Sequence, residues 1–298
     1  MSWAKYKRLS SSKDLSIFRR GTTASDGGGG GGPALLLDLY PGASAAYSLR
    51  RLNRAYNGSA IRVRRSSDNA EQDIGFSGGV LDTASLLSFC GAGSGYVTTW
   101  YDQSGNGKDN IQATLLAQPT IVTSGNLKTI NSLPAINYPS GAFTATPLYD
   151  VASQSVFTVS EGNSFNNNFQ SLVSWQAQFN GQPPNLAQAG PWIRVGGANY
   201  YRTPSIGATD VNDFTNSGGA MYFNGSLHLV TDSFLNPNIL SSFASAAFTR
   251  RFGMSDITGF NRMFEGRVSE VIVYPTSQES GYRSAIETDM SNHYSISI

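Results

Sequence analysis

The chain has 298 residues, of which 40% are hydrophobic and only 14% are charged, and its formal net charge is +1. This length allows one large domain or two smaller ones with a buried core. The near-neutral charge argues against a protein that binds nucleic acid through its overall electrostatics. The single cysteine, Cys90, excludes a disulfide within the chain and is expected to be a buried structural thiol.

Residues 1–34 differ in composition from the rest of the chain. They are rich in basic residues and end in six glycines before Pro33, which is typical of a flexible arm and linker. They lack the apolar stretch of a secretory signal, and no later run reaches the ~18 apolar residues of a membrane-spanning helix. We therefore expect a basic attachment arm, residues 1–34, followed by one folded domain, residues 35–298. The residues expected to contact a partner are Trp3, Lys5, Tyr6, Lys7, Arg8, Arg19 and Arg20.

The first part of the folded domain mixes strand and helix patterns. The apolar run Ala34–Tyr40 predicts a buried strand that stops at a Pro-Gly turn. The spacing of apolar residues over Ala45–Tyr56 predicts a short helix. Alternation over Ala60–Arg65 predicts a half-buried strand with arginines on its solvated face. Further predicted elements are a helix capped by Asp82 and ending near Cys90, and a strand over Tyr96–Asp102.

Strand and turn signals dominate after Ser140. Asn224-Gly225 is a strong signal for a two-residue hairpin, and Ser277–Tyr294 has the periodicity of a terminal helix with Tyr282, Ile286 and Met290 on one face. Many strands separated by polar turns favour an all-β sandwich or jelly roll with a few short helices. The main strand-like runs are "SVFTVSE", "SLVSWQAQF", "PWIRVGG", "AMYFNGSLHLVTDSF", "SAAFTRRFGMS" and "GRVSEVIVYP".

A series of unusual short motifs occurs in one order between residues 33 and 140. The motifs are "AYSLRRLNRAYNGSAIRVRRSSD", "DIG", "GGV", "FC" and "YDQSGNG". This series resembles the catalytic domain of α-L-arabinofuranosidase B, glycoside hydrolase family 54. The closing "FEGRVSEVIVYP" strand and its helix are similar to the ends of concanavalin-like and laminin-G-like sandwiches. The resemblance implies a concanavalin-like jelly-roll β-sandwich, here preceded by the extended N-terminal arm.

The resemblance also implies retaining glycoside hydrolysis, with a Glu nucleophile and an Asp acid/base about 5–5.5 Å apart. Asp256 stands nearest to the position of the family's acid/base, and Glu161 and Glu265 are the available substitutes for the nucleophile. The family's adjacent cysteine pair is absent, and Gly95 stands about where the partner of Cys90 would be. The alternative is that the aspartate is a turn residue and that Glu265 pairs on the surface with a neighbouring arginine.

Trp100, Tyr101 and Asp102 form a candidate sugar-binding site at the end of a predicted strand. An aromatic face suits the C–H side of a sugar ring, and a carboxylate can bind sugar hydroxyls. Alternatively, Asp102 caps the turn "DQSGNG" by accepting hydrogen bonds from its backbone amides. The stretch lacks the closing glutamate of an EF-hand, and we predict no metal and no cofactor. Tyr200 and Tyr201 lie in a predicted loop and are candidates either for sugar contact or for core packing.

Three functions remain open from the sequence. The expected one is a structural phage protein on the virion surface, a head fibre, capsid decoration or tail fibre, attached to capsid or tail proteins through residues 1–34. The absence of a secretory signal fits this expectation, because phage particles assemble in the host cytoplasm and act outside the cell. Such a protein is expected to form homo-oligomers and to bind a host surface glycan, without nucleic acid, membrane insertion or enzymatic activity. The alternatives are a retaining glycoside hydrolase of the α-L-arabinofuranosidase type and a non-catalytic carbohydrate-binding module.

Overall fold

The computed structural model describes residues 32–138, 154–162, 266–276 and 281–298, and between residues 169 and 263 it describes the backbone of short strands. Side chains are described in residues 32–138, 155–161, 266–276 and 281–298. The strands, in chain order, are β1 Ala45–Ser48, β2 Ile61–Arg65, β3 Glu71–Ile74, β4 Phe76–Ser77, β5 Val80–Leu81, β6 Gly95–Trp100, β7 Asn110–Ile111, β8 Thr120–Thr123, β9 Asn126–Leu127, β10 Thr129–Ile130, β11 Leu133–Pro134, β12 Ile136–Tyr138, β13 Gln154–Gly162, β14 Phe169–Ser171, β15 Val173–Gln176, β16 Gln188–Ala189, β17 Trp192–Arg194, β18 Met221–Phe223, β19 Ser226–Leu227, β20 Asn238–Ala244, β21 Thr249–Phe252, β22 Met254–Ile257, β23 Phe260–Met263 and β24 Gly266–Tyr274. The helices are α1 Leu36–Leu39, α2 Thr83–Cys90 and α3 Arg283–Tyr294, with a 3₁₀ turn at Leu115–Ala117.

A large antiparallel sheet forms the centre of the described structure. Its strand order is β19-β18-β20-β13-β24-β12-β8-β6-β2-β3, and β1, β7 and β9 pair with β24, β6 and β8 respectively. Smaller sheets have the orders β17-β14-β23-β22 and β16-β15-β21. The predicted all-β sandwich with a few short helices is confirmed.

Two hydrophobic cores among the described side chains are built around β24. One edge of this strand pairs with β13, and the other edge pairs first with β12 and then with β1. Val271 and Val273 belong to a first core that includes residues of β2, β6 and α2. Ile272 and Tyr274 belong to a second core, which includes residues of α1 and α3. A strand covered on both faces needs a continuous apolar run, which "VIVY" supplies.

The predicted strand at Ala34–Tyr40 is wrong, because Leu36–Leu39 forms the short helix α1. A short apolar run does not distinguish a buried strand from a buried helical turn. Asp38 favours the turn locally, since its carboxylate accepts a hydrogen bond of 2.8 Å from the Leu35 N–H. The neighbouring leucines at positions 36 and 37 then both enter the second core, whereas a strand would point them to opposite faces.

The predicted helix at Ala45–Tyr56 is also wrong. Ala45–Ser48 is strand β1, which pairs with β24 and is buried along its whole length. The edge of β24 beyond β12 would otherwise expose unpaired backbone groups, and this tertiary pairing overrides the helical spacing. The basic side chains that follow do not line a helix face. Arg50 pairs instead with Glu270.

Predictions that rest on local signals in the first and middle parts of the chain are confirmed. Asp82 caps α2, because its carboxylate accepts a hydrogen bond of 3.0 Å from the Ser85 N–H. The helix ends at Cys90, which is 4% exposed, so the expected buried thiol is confirmed. Strands β18 and β19, on either side of Asn224-Gly225, pair with each other as the hairpin signal predicts.

The terminal helix is confirmed with a later start. Helix α3 begins at Arg283 rather than at the predicted Ser277, and Ile286 and Met290 are buried as expected. Tyr282 precedes the helix and is 46% exposed, so it does not share their buried face. Within the described residues, no helix has the length and apolar character needed to cross a bilayer. Residues 1–31, which hold the expected partner contacts of the arm, lie outside the described part of the chain, and the arm and its boundary stay predictions.

Candidate functional site

The central strands β2, β6, β8 and β12 have one apolar face and one polar face. Val63, Val97 and Ile136 belong to the first core. Because side chains alternate along a strand, their neighbours project from the opposite side, which we call the polar face. The residues on this face include Arg62, Arg64, Tyr96, Thr120 and Asn137, and of these Arg64 is buried while the others are at least partly exposed.

Tyr101 lies at the end of β6, at the margin of the polar face. Its hydroxyl donates a hydrogen bond of 2.7 Å to Asp73, and the same carboxylate accepts two hydrogen bonds from Arg62 at 2.7 and 2.9 Å. Burial, together with the hydrogen bond to Asp73, raises the pKa of Tyr101 to about 12, so the hydroxyl is protonated at neutral pH. The Tyr101 ring is partly exposed. Its predicted sugar contact is compatible with this geometry and remains a prediction.

Trp100 points to the opposite side of the sheet and is 0% exposed. Its ring lies 5.9 Å from the ring of Tyr47 in the first core. The prediction that Trp100 offers a stacking face to a sugar is therefore wrong. Trp100 and Tyr101 separate because successive residues of a strand face opposite sides.

Asp102 organises the turn that follows β6. Its Oδ1 accepts hydrogen bonds from the N–H groups of Ala46 at 2.8 Å and Ser104 at 2.9 Å. Its Oδ2 accepts hydrogen bonds from the Ser104 hydroxyl at 2.8 Å and the Lys108 N–H at 3.0 Å. With 4% exposure, Asp102 has both oxygens occupied by donors of the protein, so the turn-capping alternative holds and the predicted sugar contact is wrong.

Among the side chains that the structure describes, no group of three His, Cys, Asp or Glu could hold a metal ion.

Glu161 lies near the end of β13, directly opposite Arg267 of β24. Its Oε1 is 2.6 Å from Arg267 Nη2, and Arg267 Nη1 donates a hydrogen bond of 2.6 Å to the Thr129 carbonyl. Burial raises the pKa of Glu161 above its usual value, although the charge of Arg267 opposes the rise. A partly buried carboxyl with a raised pKa suits proton donation in glycoside hydrolysis.

The other predicted site residues fall outside the described side chains. Asp256 lies in β22, which belongs to a smaller sheet than the one that holds Glu161. Glu265, Tyr200 and Tyr201 lie outside the described residues. The roles of these four residues stay predictions.

Sequence reasoning missed Arg267 and Asn137 as members of the polar face. Asn137 stands between buried Ile136 and Tyr138, and Arg267 precedes buried Val268. A polar residue beside buried apolar residues in a strand is the signal that could have identified both. Their meeting in space depends on pairing between β12 and β24, which no local pattern encodes.

Comparison with known proteins agrees with the motif resemblance. Residues 38–181 match the family described as "Alpha-L-arabinofuranosidase B, catalytic". The probable α-L-arabinofuranosidase B of Aspergillus fumigatus is 28% identical over 176 residues, which cover 51% of this chain and 34% of that protein. Its counterpart in Aspergillus flavus is 29% identical over 146 residues, which cover 42% of this chain and 28% of that protein. The chain thus spans about a third of the length of these curated relatives.

Two solved structures share the fold. A GH54 α-L-arabinofuranosidase soaked with a cyclic sulfate inhibitor superposes with a TM-score of 0.53 at 15% identity, covering 86% of this chain and 64% of that chain. An arabinofuranosidase complexed with arabinofuranosyl-α-1,2-xylobiose gives a TM-score of 0.51 at 15% identity, covering 83% of this chain and 62% of that chain. The chain therefore resembles the GH54 α-L-arabinofuranosidase B catalytic domain in its motifs and in its β-sandwich fold.

These comparisons overturn the expected function. The expectation of a phage virion protein is wrong, because the family match and the relatives point to an α-L-arabinofuranosidase glycoside hydrolase, and the superposed structures share the fold. The accompanying expectation that the chain has no enzymatic activity is unsupported for the same reason.

Proposed function

We propose that this chain is a glycoside hydrolase domain of the α-L-arabinofuranosidase type. The observation that carries the proposal is the match of residues 38–181 to the arabinofuranosidase B catalytic family. One superposed structure is described in complex with arabinofuranosyl-α-1,2-xylobiose. We therefore infer that the substrate class is an α-L-arabinofuranosyl unit attached to a xylan-type backbone.

Glu161 is the described carboxyl that best suits the chemistry. The resemblance offered it as a nucleophile, but a pKa raised by burial favours a proton donor instead. In the proposed reaction its proton passes to the glycosidic oxygen as the bond from that oxygen to the sugar carbon breaks, while the carboxylate of Asp256 or Glu265 forms a bond to that carbon. Water then attacks the same carbon, gives a proton back to Glu161 and releases the sugar from the second carboxyl. Arg267 orients Glu161 through their contact of 2.6 Å.

Release of 4-nitrophenol from 4-nitrophenyl α-L-arabinofuranoside tests the proposal. The native chain should release it, and Glu161→Gln, Asp256→Asn and Glu265→Gln should each be assayed beside it. Loss of an essential acid or nucleophile should lower kcat by about a hundredfold or more. Asp68→Asn is the matched control, because Asp68 is exposed in the turn after β2 and its loss should leave the rate unchanged. No release by the native chain would contradict the hydrolase, and full activity of Glu161→Gln would contradict the role of Glu161 alone.

A non-catalytic carbohydrate-binding module is the second candidate, and one observation favours it. The Glu161 side chain is 15% exposed and is held by Arg267, as it would be in an ion pair that only stabilises the strand end. This candidate predicts that arabinosylated xylo-oligosaccharides bind to the native chain and are recovered intact. Appearance of free arabinose in the same sample would exclude it.

A further inference from the structure

Strand pairing assembles a row of polar side chains across the polar face. The register places one residue from each of six adjacent strands, β13, β24, β12, β8, β6 and β2, opposite its neighbours, in the order Glu161, Arg267, Asn137, Thr120, Tyr96 and Arg64. Directly opposed residues of neighbouring strands project from the same face. At a strand spacing of ~4.8 Å the six side chains form a line roughly 24 Å long. We call this line the polar row.

Contacts within the row and beside it hold its side chains in place. The Arg64 guanidinium lies 4.5 Å from the centre of the Tyr96 ring, and its Nε donates a hydrogen bond of 2.8 Å to Gln118. At the other end, Glu161 and Arg267 are 2.6 Å apart. Side chains that are already ordered lose little conformational entropy when a ligand binds. The row is therefore prepared for binding before any ligand arrives.

The charges along the row and its margin balance. Arg267 has its carboxylate partner in Glu161, and Arg64 stands opposite Glu71 in the register. The nearby Arg62 is paired with Asp73. The row and its margin thus hold three guanidinium groups and three carboxylates, so this part of the face offers no net positive charge to a phosphate or a uronic acid. A neutral ligand is favoured.

We propose that the polar row binds a linear, neutral oligosaccharide that crosses the strands between Arg64 and Glu161. The Tyr96 ring supplies an apolar face for the C–H side of a sugar. Asn137, Thr120 and Arg267 supply donors and acceptors for hydroxyl groups. The length of the row accommodates several consecutive sugar units, so the ligand is a chain rather than a single sugar. The inference rests on the proposed function only where it identifies the bound oligosaccharide with the backbone of the substrate. Binding of the oligosaccharide itself requires no hydrolysis.

Linear xylo-oligosaccharides of two to six units provide the test, with the native full chain and isothermal titration calorimetry. They carry no arabinofuranosyl unit, so binding is measured without the proposed reaction. The hexasaccharide should bind more tightly than the disaccharide, and Tyr96→Ala should weaken hexasaccharide binding about fivefold or more. Asn137→Ala should act in the same direction and serves as a second variant if loss of the Tyr96 ring impairs folding. Tyr282→Ala is the control, because Tyr282 is 46% exposed and lies outside the row.

Equal affinity for all chain lengths would overturn the inference, as would unchanged hexasaccharide binding in both row variants. Tighter binding of charged oligogalacturonides than of xylo-oligosaccharides would overturn the neutral ligand class. The two proposals fail separately. Length-dependent binding without release of 4-nitrophenol contradicts the hydrolase alone, and release without length-dependent binding contradicts the polar row alone.

Discussion

The Arg50 guanidinium donates two hydrogen bonds, of 2.7 and 2.9 Å, to the Glu270 carboxylate, which is completely buried. The hydroxyl groups of Ser48 and Tyr294 donate two more, of 2.8 and 3.0 Å, to the same carboxylate. Arg50 is also 2.6 Å from Asp289. The pair therefore connects three elements, because Ser48 belongs to β1, Glu270 to β24, and Tyr294 and Asp289 to α3. Arg50 and Glu270 are 220 residues apart in the chain, so this ion pair joins the first strand of the domain to its last strand and helix.

Loss of Glu270 should destabilise the fold strongly. Glu270→Ala leaves a buried guanidinium without one of its carboxylates, and removal of one partner of a buried ion pair costs roughly 3–5 kcal/mol. Asp73→Ala is the matched control, because Arg62 and Asp73 have the same distances of 2.7 and 2.9 Å on the surface. Exposed pairs contribute only about 0–1 kcal/mol. Urea unfolding of both variants measures the difference, and equal losses would show that burial is unimportant here.

Acid should weaken the Arg50–Glu270 ion pair. Burial alone would raise the pKa of Glu270, but the charge and hydrogen bonds of Arg50 more than reverse this and lower it. A carboxyl whose folded pKa is depressed contributes stability above its unfolded pKa of about 4.3 and loses it as the pH falls through the folded pKa. Urea midpoints of the native chain should fall below that pH more steeply than those of Glu270→Gln. Parallel curves for the two proteins would contradict the prediction.

Gly95→Cys should form a disulfide with Cys90. A Cβ at position 95 would lie 2.7 Å from the Cys90 sulfur and 3.0 Å from a methyl of Val63. The first distance is close to the separation, in a disulfide, between the Cβ of one cysteine and the sulfur of the other. A small shift therefore allows the S–S bond to form. Closing so short a loop should stabilise the fold by about 2 kcal/mol less any strain. Gly95→Ala is the control, because its methyl group meets the same sulfur without bonding and should destabilise the fold. Thiol titration after mild oxidation decides, and two free thiols would contradict the prediction.

Trp100 and Tyr101 should respond oppositely to truncation. Trp100→Ala removes a fully buried ring from the first core and should cost about 3–5 kcal/mol of unfolding free energy. Tyr101→Ala removes a partly exposed ring and should change stability far less. If the tyrosine contacts sugar, only Tyr101→Ala should weaken oligosaccharide binding at a temperature where both variants are folded. A large loss of stability in Tyr101→Ala with little in Trp100→Ala would contradict the assignment of faces.

Arg267→Met should move the pH dependence of hydrolysis upward. Burial raises the pKa of Glu161 and the Arg267 charge opposes the rise, so removal of the charge lets the pKa increase further. If Glu161 donates the proton, the alkaline limb of kcat should shift to higher pH, since the group stays protonated longer. Arg62→Met, which removes an exposed arginine paired with Asp73, should leave the profile in place. A downward shift in Arg267→Met would exclude Glu161 as the titrating group.

Several parts of the fold follow from the sequence because their signals lie within a few residues. The cap at Asp82 and the hairpin at Asn224-Gly225 each depend on neighbours in the chain, and both are confirmed. The abundance of strand runs and polar turns predicted the β-sandwich. The motifs before Ser140 identified the resemblance that the family comparison supports. The interpretation of the "DQSGNG" turn as capped by Asp102 was one of two alternatives, and the hydrogen bonds decide between them.

Tertiary structure decided what depends on distant partners and on solvent exposure. Ala45–Ser48 became a strand because β24 required a neighbour along that edge. One side of the sheet faces the core, and this decided that Trp100 is buried and Tyr101 is partly exposed. Glu161 meets Arg267 across 106 residues, and the polar row draws its six side chains from six strands. Such groupings arise from backbone pairing between remote segments, so no local pattern of residues could have contained them.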